Sequence, residues 1–455
     1  MSIKVINPAN GNTINEVELI TDDQAASYIE EAHNQYGAWK TTHFEYRAKM
    51  MKKTANILLE RQEELSQLMT KEMGKPIQQA RAEVEKCAWV CRYYADHAKD
   101  MLEPELIETD ASKSFVCYNP IGVVLAVMPW NFPLWQVYRF AAPALMAGNA
   151  GILKHASNVP GCAMAIEEIF VEAGFPQGLF KTLLISSDQV EKVIENKKVQ
   201  AVTLTGSGPA GSAVAATAGK NIKKTVLELG GSDAYLILKD ADLEPAAETC
   251  TTSRLLNSGQ SCIGAKRFIV VKEVYDKFVK LFKEKMEAAK LGDPMNEDTD
   301  IGPMARFDLR DELHEQVKES IENGAECILG GEIPSLDGAY YPATILVNVK
   351  PGMPAYEDEL FGPVASVIKA KDEDDAIRIA NDSVFGLGAA VFTQDLEKGE
   401  FIAQTKLEAG SCFVNAFVKS DPRLPFGGIK TSGYGRELSH NGIKEFLNIK
   451  TVYIK

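Results

Sequence analysis

The sequence predicts an α/β protein made of two stacked α/β domains that share a cleft, and three observations predict it. The chain has 455 residues, more than one compact core accommodates, so it divides into at least two domains. From residue 121 onward, short apolar runs alternate with segments of helical periodicity, which is how a parallel sheet with helical crossovers reads. That alternation starts afresh after Gly230-Gly231, giving a second unit of the same kind.

Residues 21–101 read as helices, because apolar side chains recur three and four positions apart, as at Leu58, Leu59, Leu65 and Leu68. Cys87 and Cys91 lie four apart and are expected to stack on one helix as packing residues. A polar stretch at 103–113 leads into an extended segment at 114–118. Residues 121–128 (IGVVLAVM) are continuously apolar, as expected of a strand buried on both faces. A helix is expected at 134–146, ended by Gly148-Asn149. Strands at 151–154, 182–185, 200–205 and 225–229 then alternate with helices after Pro160, at 189–196 and from Pro209. In the second unit we expect helices at 243–256 and 275–289. Its strands are expected at 266–271, 343–347, 364–369, 389–392 and 411–414. The last segment, 446–454, reads as a lone strand, which must find a sheet to join.

Composition narrows the function classes. Hydrophobic residues are 45% and charged residues 25%, so a folded globular chain is expected rather than a disordered one. The net charge of −14 argues against nucleic acid or an anionic membrane as partner. It also means that a site for an anionic substrate must hold a cation of its own. No run reaches the ~20 apolar residues of a membrane span. The opening MSIKVINP lacks the apolar centre of a secretory signal. Eight cysteines, none in a Cys-x-x-Cys pair, read as reduced thiols of a cytoplasmic protein without a metal site.

Chemistry concentrates in a few segments. NSGQSCIGAKR (257–267) places Cys262 among small residues between a helix and a strand, where a sulfur stays accessible. A thiolate is the strongest side-chain nucleophile near neutral pH, above all where a base or oriented dipoles lower its pKa. A lone cysteine is nevertheless more often a packing residue. VLELGGS (226–232) sets Glu228 in an apolar strand end, where desolvation would raise its pKa and make it a useful base. The two glycines after it permit close backbone approach. MPWNFP (128–133) holds Asn131 between prolines, so that its amide can donate to a developing oxyanion.

In order, PWNFP, LTGS, LELGGS, NSGQSC, ELFGPV and PFGGIKTSGYGRE resemble the aldehyde dehydrogenase superfamily over essentially the whole chain. The resemblance implies that Cys262 is the nucleophile, Glu228 the general base and Asn131 the oxyanion donor, beside the Cys262 backbone N–H. It implies oxidation of an aldehyde to its acid through a thiohemiacetal and a thioester, with a nicotinamide taking the hydride, since no side chain can. The implied architecture is a Rossmann-like cofactor domain (1–101 and 121–230), an α/β catalytic domain (231–430) and a small β oligomerisation arm (102–120 and 431–455). The arm implies a homodimer or homotetramer.

On the cofactor side, TGSGPAG (205–211) follows a strand and opens a helix, whose N-terminal N–H groups suit a pyrophosphate. By itself that glycine pattern is weak. Within the resemblance, Gly206 and Ser207 take that role, with Trp130 and Leu229 beside the cofactor. Lys154 corresponds to the adenosine-ribose ligand, and Glu359 and Phe361 to the nicotinamide-ribose contacts. Relatives that prefer NAD often carry Glu three residues after this lysine. Here Ser157 stands there, leaving room for a 2′-phosphate that Lys154 and Ser157 could hold. NADP is therefore favoured over NAD, and His155 is a further candidate donor.

Arg139 lies four residues after Trp135 on the helix that follows Asn131, so the two share a face and the guanidinium could clamp a carboxylate. Arg139 and Ser420 match carboxylate ligands of succinate-semialdehyde dehydrogenases, and PWNFPLWQV, LKHASNVPGCA, ARFDLRDEL and KSDPRLPFGG resemble their short bacterial branch. The implied substrate is succinic semialdehyde. There are two departures. A second arginine found in some such enzymes six residues before the nucleophile is Leu256 here, with Arg254 out of register. A second cysteine two residues beyond the nucleophile is Gly264, so no redox disulfide at Cys262 is expected. Another small aldehyde (glutarate semialdehyde, lactaldehyde), transfer of the acyl group to coenzyme A, and a catalytically silent relative remain as alternatives.

Overall fold

In the computed structural model, which describes residues 2–455, the apolar run at 121–128 is the strand Val123–Met128. It lies inside a six-stranded sheet ordered Gly433–Tyr434, Lys224–Glu228, Val199–Thr205, Val123–Met128, Ala150–His155 and Phe180–Thr182. Every pairing is parallel except that of Gly433–Tyr434, which runs antiparallel to Leu227 and Glu228. The chain leaves Val123–Met128 towards one edge, through Ala150–His155 and Phe180–Thr182. It then returns to the other flank with Val199–Thr205. The order thus reverses between Val123–Met128 and Val199–Thr205, and a crevice opens at such a reversal beyond the carboxyl ends of the strands. The loops carrying Asn131 and Ser207 meet there. The strand expected at 182–185 sits slightly earlier, at Phe180–Thr182.

A seven-stranded sheet forms the second unit, ordered Glu326–Leu329, Thr344–Val347, Val364–Ala370, Arg267–Val271, Ala234–Ile237, Gly388–Phe392 and Ser411–Val414. Only the first pairing is antiparallel. Its inner strands are largely apolar because both faces are covered. Leu236, Ile269, Ile368 and Val391 join one core, while Tyr235, Phe268, Val367 and Ala390 join the other. Ala234–Ile237, which pairs on both sides, is a strand that sequence reading passed over. It has four residues and no alternation, set between a glycine pair and Lys239-Asp240, so nothing distinguished it from the loop around it.

The terminal strand, observed at Leu447–Ile454, pairs antiparallel with Lys113–Pro120, from Leu447 opposite Pro120 to Ile454 opposite Lys113, and Glu105–Leu106 adds a short edge. Leu106, Ile449, Tyr453 and Ile454 stand exposed on this small sheet. A hairpin of Ser2–Ile6 and Thr13–Glu18 opens the chain. Cys87 and Cys91 are both buried on the helix Ile77–Met101. Among the described residues no helix is long and apolar enough to cross a membrane.

Candidate active site

Cys262 follows the helix Leu243–Leu255 and a short turn, and precedes the strand Arg267–Val271. The approach is contorted: Asn257, Ser258 and Gly259 have φ of 56°, 53° and 75°. For non-glycine residues that region costs about 1–2 kcal/mol each, so the surroundings must impose it. The Asn257 amide donates to the carbonyls of Asn131 (2.7 Å) and Gln260 (3.1 Å), and its backbone N–H donates to Gln79. Ser258 exchanges hydrogen bonds with the Gly302 backbone. Gln260 accepts from the Ala305 N–H at 2.9 Å. A side chain at 259 would strike the Gly362 carbonyl. The NSGQS string is thus a scaffold that places the cysteine, and Lys266 completes it by donating to the Ser261 and Cys262 carbonyls, each at 2.7 Å.

Two cavities meet at Cys262, which lines both. One, of about 290 Å³, is bordered by Trp130, Asn131, Gly206, Ser207, Glu228, Leu229, Glu359 and Phe361. The other, of about 370 Å³, is bordered by Lys86, Trp135, Arg139, Leu256, Ser420 and Phe426. Trp130 and Phe361 meet edge to face at 5.7 Å. The helix Phe307–Glu322, not anticipated from sequence, closes the first cavity with Leu309, Leu313 and Gln316. The glycines of LELGGS serve internal packing: a side chain at 230 would strike Glu359, and one at 231 would come within 2.8 Å of the Cys262 carbonyl.

Glu228 is 2% exposed, and among the described residues neither carboxylate oxygen has a hydrogen-bond partner. Burial, and then the Glu437 carboxylate, hold its pKa well above the usual carboxylate range, against the pull of Arg139 and Arg436. Once ionised, such a carboxylate is a stronger base than an exposed one. Gly427 makes room for it, since a Cβ there would lie 2.7 Å from its Oε1. Burial also pushes the Cys262 thiol up to about 12, with Lys266 and Arg139 opposing and Glu359 and Asp233 adding. The direction is opposite to that of a thiol activated by neighbouring charge. Asn131 donates one amide hydrogen to the Gln260 carbonyl at 3.2 Å. Among the described residues no acceptor meets the Cys262 backbone N–H.

Lys154 and Ser157 lie beyond this cavity, at and just after the carboxyl end of Ala150–His155. Lys154 is half-buried and, among the described residues, without a carboxylate partner, and Ser157 is exposed. His155 is no phosphate donor. It is buried, its Nε2 bonds the Pro133 carbonyl at 2.8 Å and its Nδ1 accepts from the Ala156 N–H, with its pKa pushed down to about 4 by burial. Its role is to brace the Asn131 loop from the neighbouring strand.

Arg139 borders the second cavity, but its guanidinium is 2% exposed and ion-paired with Glu437, with Thr205 Oγ1 at 3.2 Å and the Phe426 ring at 4.7 Å. The ion pair and the hydrogen bond fix the guanidinium beside the cavity that it borders. Arg254 is wholly buried and bonds the Gly259 carbonyl, so it shapes the nucleophile loop and leaves the clamp position to Leu256, which lines the cavity. Ser420 accepts from Lys86 Nζ at 2.9 Å. Sequence reading missed Lys86, Asn257, Lys266 and Glu437. Of these, Asn257, Lys266 and Glu437 stood inside quoted motifs and could have been found.

The profile of the Aldehyde dehydrogenase family matches residues 1–452. The chain is 50% identical to the Synechocystis sp. protein named "Probable succinate-semialdehyde dehydrogenase (NADP(+))", covering all of both chains. It is 46% identical to the Escherichia coli succinate semialdehyde dehydrogenase (NAD(P)+), over 98% of this chain and 97% of that one. The crystal structure of succinic semialdehyde dehydrogenase from Streptococcus pyogenes in complex with NADP+ superposes with a TM-score of 0.97, at 41% identity over 99% of each chain.

Proposed function

The chain belongs to the aldehyde dehydrogenase family, and from that premise we propose that it oxidises succinic semialdehyde to succinate with NADP as cofactor, through Cys262. One observation carries the reading: Cys262 borders both cavities at once, so a single sulfur can hold an aldehyde carbon from one while its hydrogen faces the other. The relatives named for this substrate and for NADP(+) or NAD(P)+ support the choice of both.

The first cavity fits a dinucleotide. Ser207 begins the helix Gly208–Lys220 without a side-chain cap, leaving N–H groups for a pyrophosphate, and the half-buried Lys154 has no anion of its own among the described residues. Gly206, Ser207 and Leu229 would hold it there, with Trp130, Glu359 and Phe361 at the nicotinamide end and Lys154 and Ser157 at the adenosine ribose. Bound, the oxidised nicotinamide supplies the hydride acceptor.

The Cys262 thiol gives its proton to solvent water as sulfur adds to the aldehyde carbon; Glu228, which lines the same cavity, acts in the later hydrolysis. The oxygen of the resulting thiohemiacetal takes up negative charge between the free Asn131 amide hydrogen and the Cys262 N–H. Loss of hydride leaves a thioester on Cys262. Glu228 then takes a proton from water as it attacks, the C–S bond breaks, and the acid departs with Cys262 regenerated.

Oligomerisation through the Lys113–Pro120 and Leu447–Ile454 strands fits their exposed apolar side chains, with a dimer as the minimum. Eight unbridged cysteines suit a reducing cytoplasm. The test of the function is kcat/KM for succinic semialdehyde and for uncharged aldehydes, with NADP and with NAD. Preference for the carboxylated aldehyde with NADP, and free succinate as product, is expected. An equal preference for uncharged aldehydes, or an acyl-coenzyme A product, would overturn it.

A further inference from the structure

The two donors proposed to face the oxyanion, the Asn131 amide and the Cys262 N–H, sit on different loops, so their spacing depends on what joins those loops. One helix face does so. On the helix Ile77–Met101, Gln79 and Glu83 lie four residues apart and share a face. Gln79 accepts from the Asn257 N–H at 2.6 Å on the nucleophile loop, and the Asn257 amide donates to the Asn131 carbonyl. Glu83 Oε1 accepts from the Leu134 and Trp135 N–H groups, each at 2.9 Å. Those groups open the helix Trp135–Met146, where Leu134, at the cap position, offers no side-chain acceptor. The other Glu83 oxygen pairs with Lys75, and the two side chains are 2% and 0% exposed. Lys75 Nζ also lies 3.9 Å from the Phe132 ring centroid, and His155 bonds the Pro133 carbonyl. Each residue from 132 to 135 thus has an anchor outside its own loop.

We infer that Glu83, with Lys75 as its counter-charge, is a positioning residue of the reaction: it holds the Asn131 loop at the distance from the Cys262 loop that oxyanion stabilisation needs. This rests on the proposed thiohemiacetal chemistry at Cys262. Stability alone does not account for the buried pair, because apolar side chains of similar volume often serve a core as well or better. What apolar side chains cannot do is accept from the Leu134 and Trp135 N–H groups, which would then be buried and unmet. A carboxylate is favoured at that end of the helix by the peptide dipoles, and Lys75 offsets the burial of its charge. Neither Lys75 nor Glu83 borders either cavity at Cys262, so both act on the reaction only through the loop they hold. The rate is sensitive to such support, since a shift of about 1 Å in a reacting geometry can cost on the order of a hundredfold.

The test is a double-mutant cycle between this anchor and Asn131, read in kcat and KM. Any aldehyde that the parent oxidises serves, so the cycle does not depend on the choice of substrate. Lys75→Met combined with Glu83→Leu removes both charges and the acceptor, whereas Lys75→Met combined with Glu83→Gln removes the charges and keeps an acceptor oxygen. The Leu variant should lower kcat about ten- to hundredfold, with KM moved less than about threefold. The Gln variant should stay within about threefold of the parent. In the Asn131→Ala background, itself slowed about 10²- to 10³-fold, the Leu variant should cost less than about threefold more, because the group it positions is gone. A general structural role would cost the same in both backgrounds. That outcome overturns the inference, as does a Gln variant as slow as the Leu one. Glu83→Asp, which keeps the charge beside Lys75 but draws the oxygens back by one methylene, runs the same cycle should the Leu variant fail to fold. It should slow the parent about three- to tenfold and leave Asn131→Ala unchanged, and equal losses in both would again overturn the inference. An Asn131→Ala enzyme within about tenfold of the parent would sink the oxyanion reading and the anchor with it. The expected Asn131→Ala loss with an additive cycle would sink the anchor alone.

Discussion

Removing the Asn131 side chain isolates oxyanion stabilisation from everything else in the site. Its amide has two hydrogens, of which one goes to the Gln260 carbonyl at 3.2 Å. That carbonyl also accepts from Asn257 at 3.1 Å, so Asn131→Ala orphans no buried acceptor. The residue borders a cavity, so truncation opens space that water can enter instead of a sealed void, and stability should change by less than about 1 kcal/mol. What is lost is one of two donors to the developing oxyanion, the other being the Cys262 N–H. Loss of one such donor corresponds to roughly 3–4 kcal/mol, or about 10²- to 10³-fold in kcat. Steady-state formation of the reduced cofactor, with thermal unfolding in parallel, is the assay. The expected result is a fall of that size in kcat with KM and unfolding little changed. A loss below about tenfold, or one carried by KM, would refute the reasoning, as would Asn131→Asp performing like the parent.

Three further outcomes follow from the same geometry. Glu228→Gln keeps the shape of the base but not its proton affinity, so one equivalent of reduced cofactor should form in a burst, followed by turnover slowed about 10²- to 10⁴-fold; rapid-mixing kinetics without a burst would count against Glu228 acting in hydrolysis. Ser157→Glu places a carboxylate where a 2′-phosphate is proposed to sit, so the ratio of kcat/KM for NADP over NAD should fall about tenfold or more, and an unchanged ratio would remove Ser157 from the cofactor site. Asp233 is buried, and its pKa is raised to about 7, chiefly by that burial, with only one oxygen bonded, to the Gly388 N–H. A carboxyl whose folded pKa exceeds its unfolded one favours folding when protonated, and that contribution is lost as pH rises from about 4 to 7. Asp233→Asn should accordingly gain stability over the parent across that window, by up to about 4 kcal/mol at pH 8; denaturant unfolding at pH 5 and pH 8 checks it, and a gain that shrinks with rising pH would contradict it.

What the sequence revealed depended on whether the signal was local. IGVVLAVM reads as a doubly covered strand because burial on both faces leaves no polar positions, and the structure bears this out at Val123–Met128. The order of strands was not legible, since it arises from crossovers, and with it went the reversal that brings Asn131 beside Ser207. Ala234–Ile237, central in its sheet, was too short to show a period. In the site, Cys262, Glu228 and Asn131 stood out because each interrupts its surroundings in a recognisable string. The pairing of Arg139 with Glu437 and the bond from Lys86 to Ser420 join residues hundreds of positions apart, and no local pattern carries such information. A lysine on an otherwise ordinary amphipathic helix reads as solvated until the loop that covers it is known. His155 misled for the same reason, its partner Pro133 lying on the neighbouring strand's loop.

The account depends most on a covalent bond between the substrate carbon and one sulfur. Glu228→Gln mixed with succinic semialdehyde and NADP should accumulate the stalled thioester, and digestion followed by mass spectrometry should find one succinyl group on the peptide bearing Cys262 and none on the other seven of the eight cysteines. Turnover by Cys262→Ala, or an acyl group residing on any other residue of an active enzyme, would contradict it.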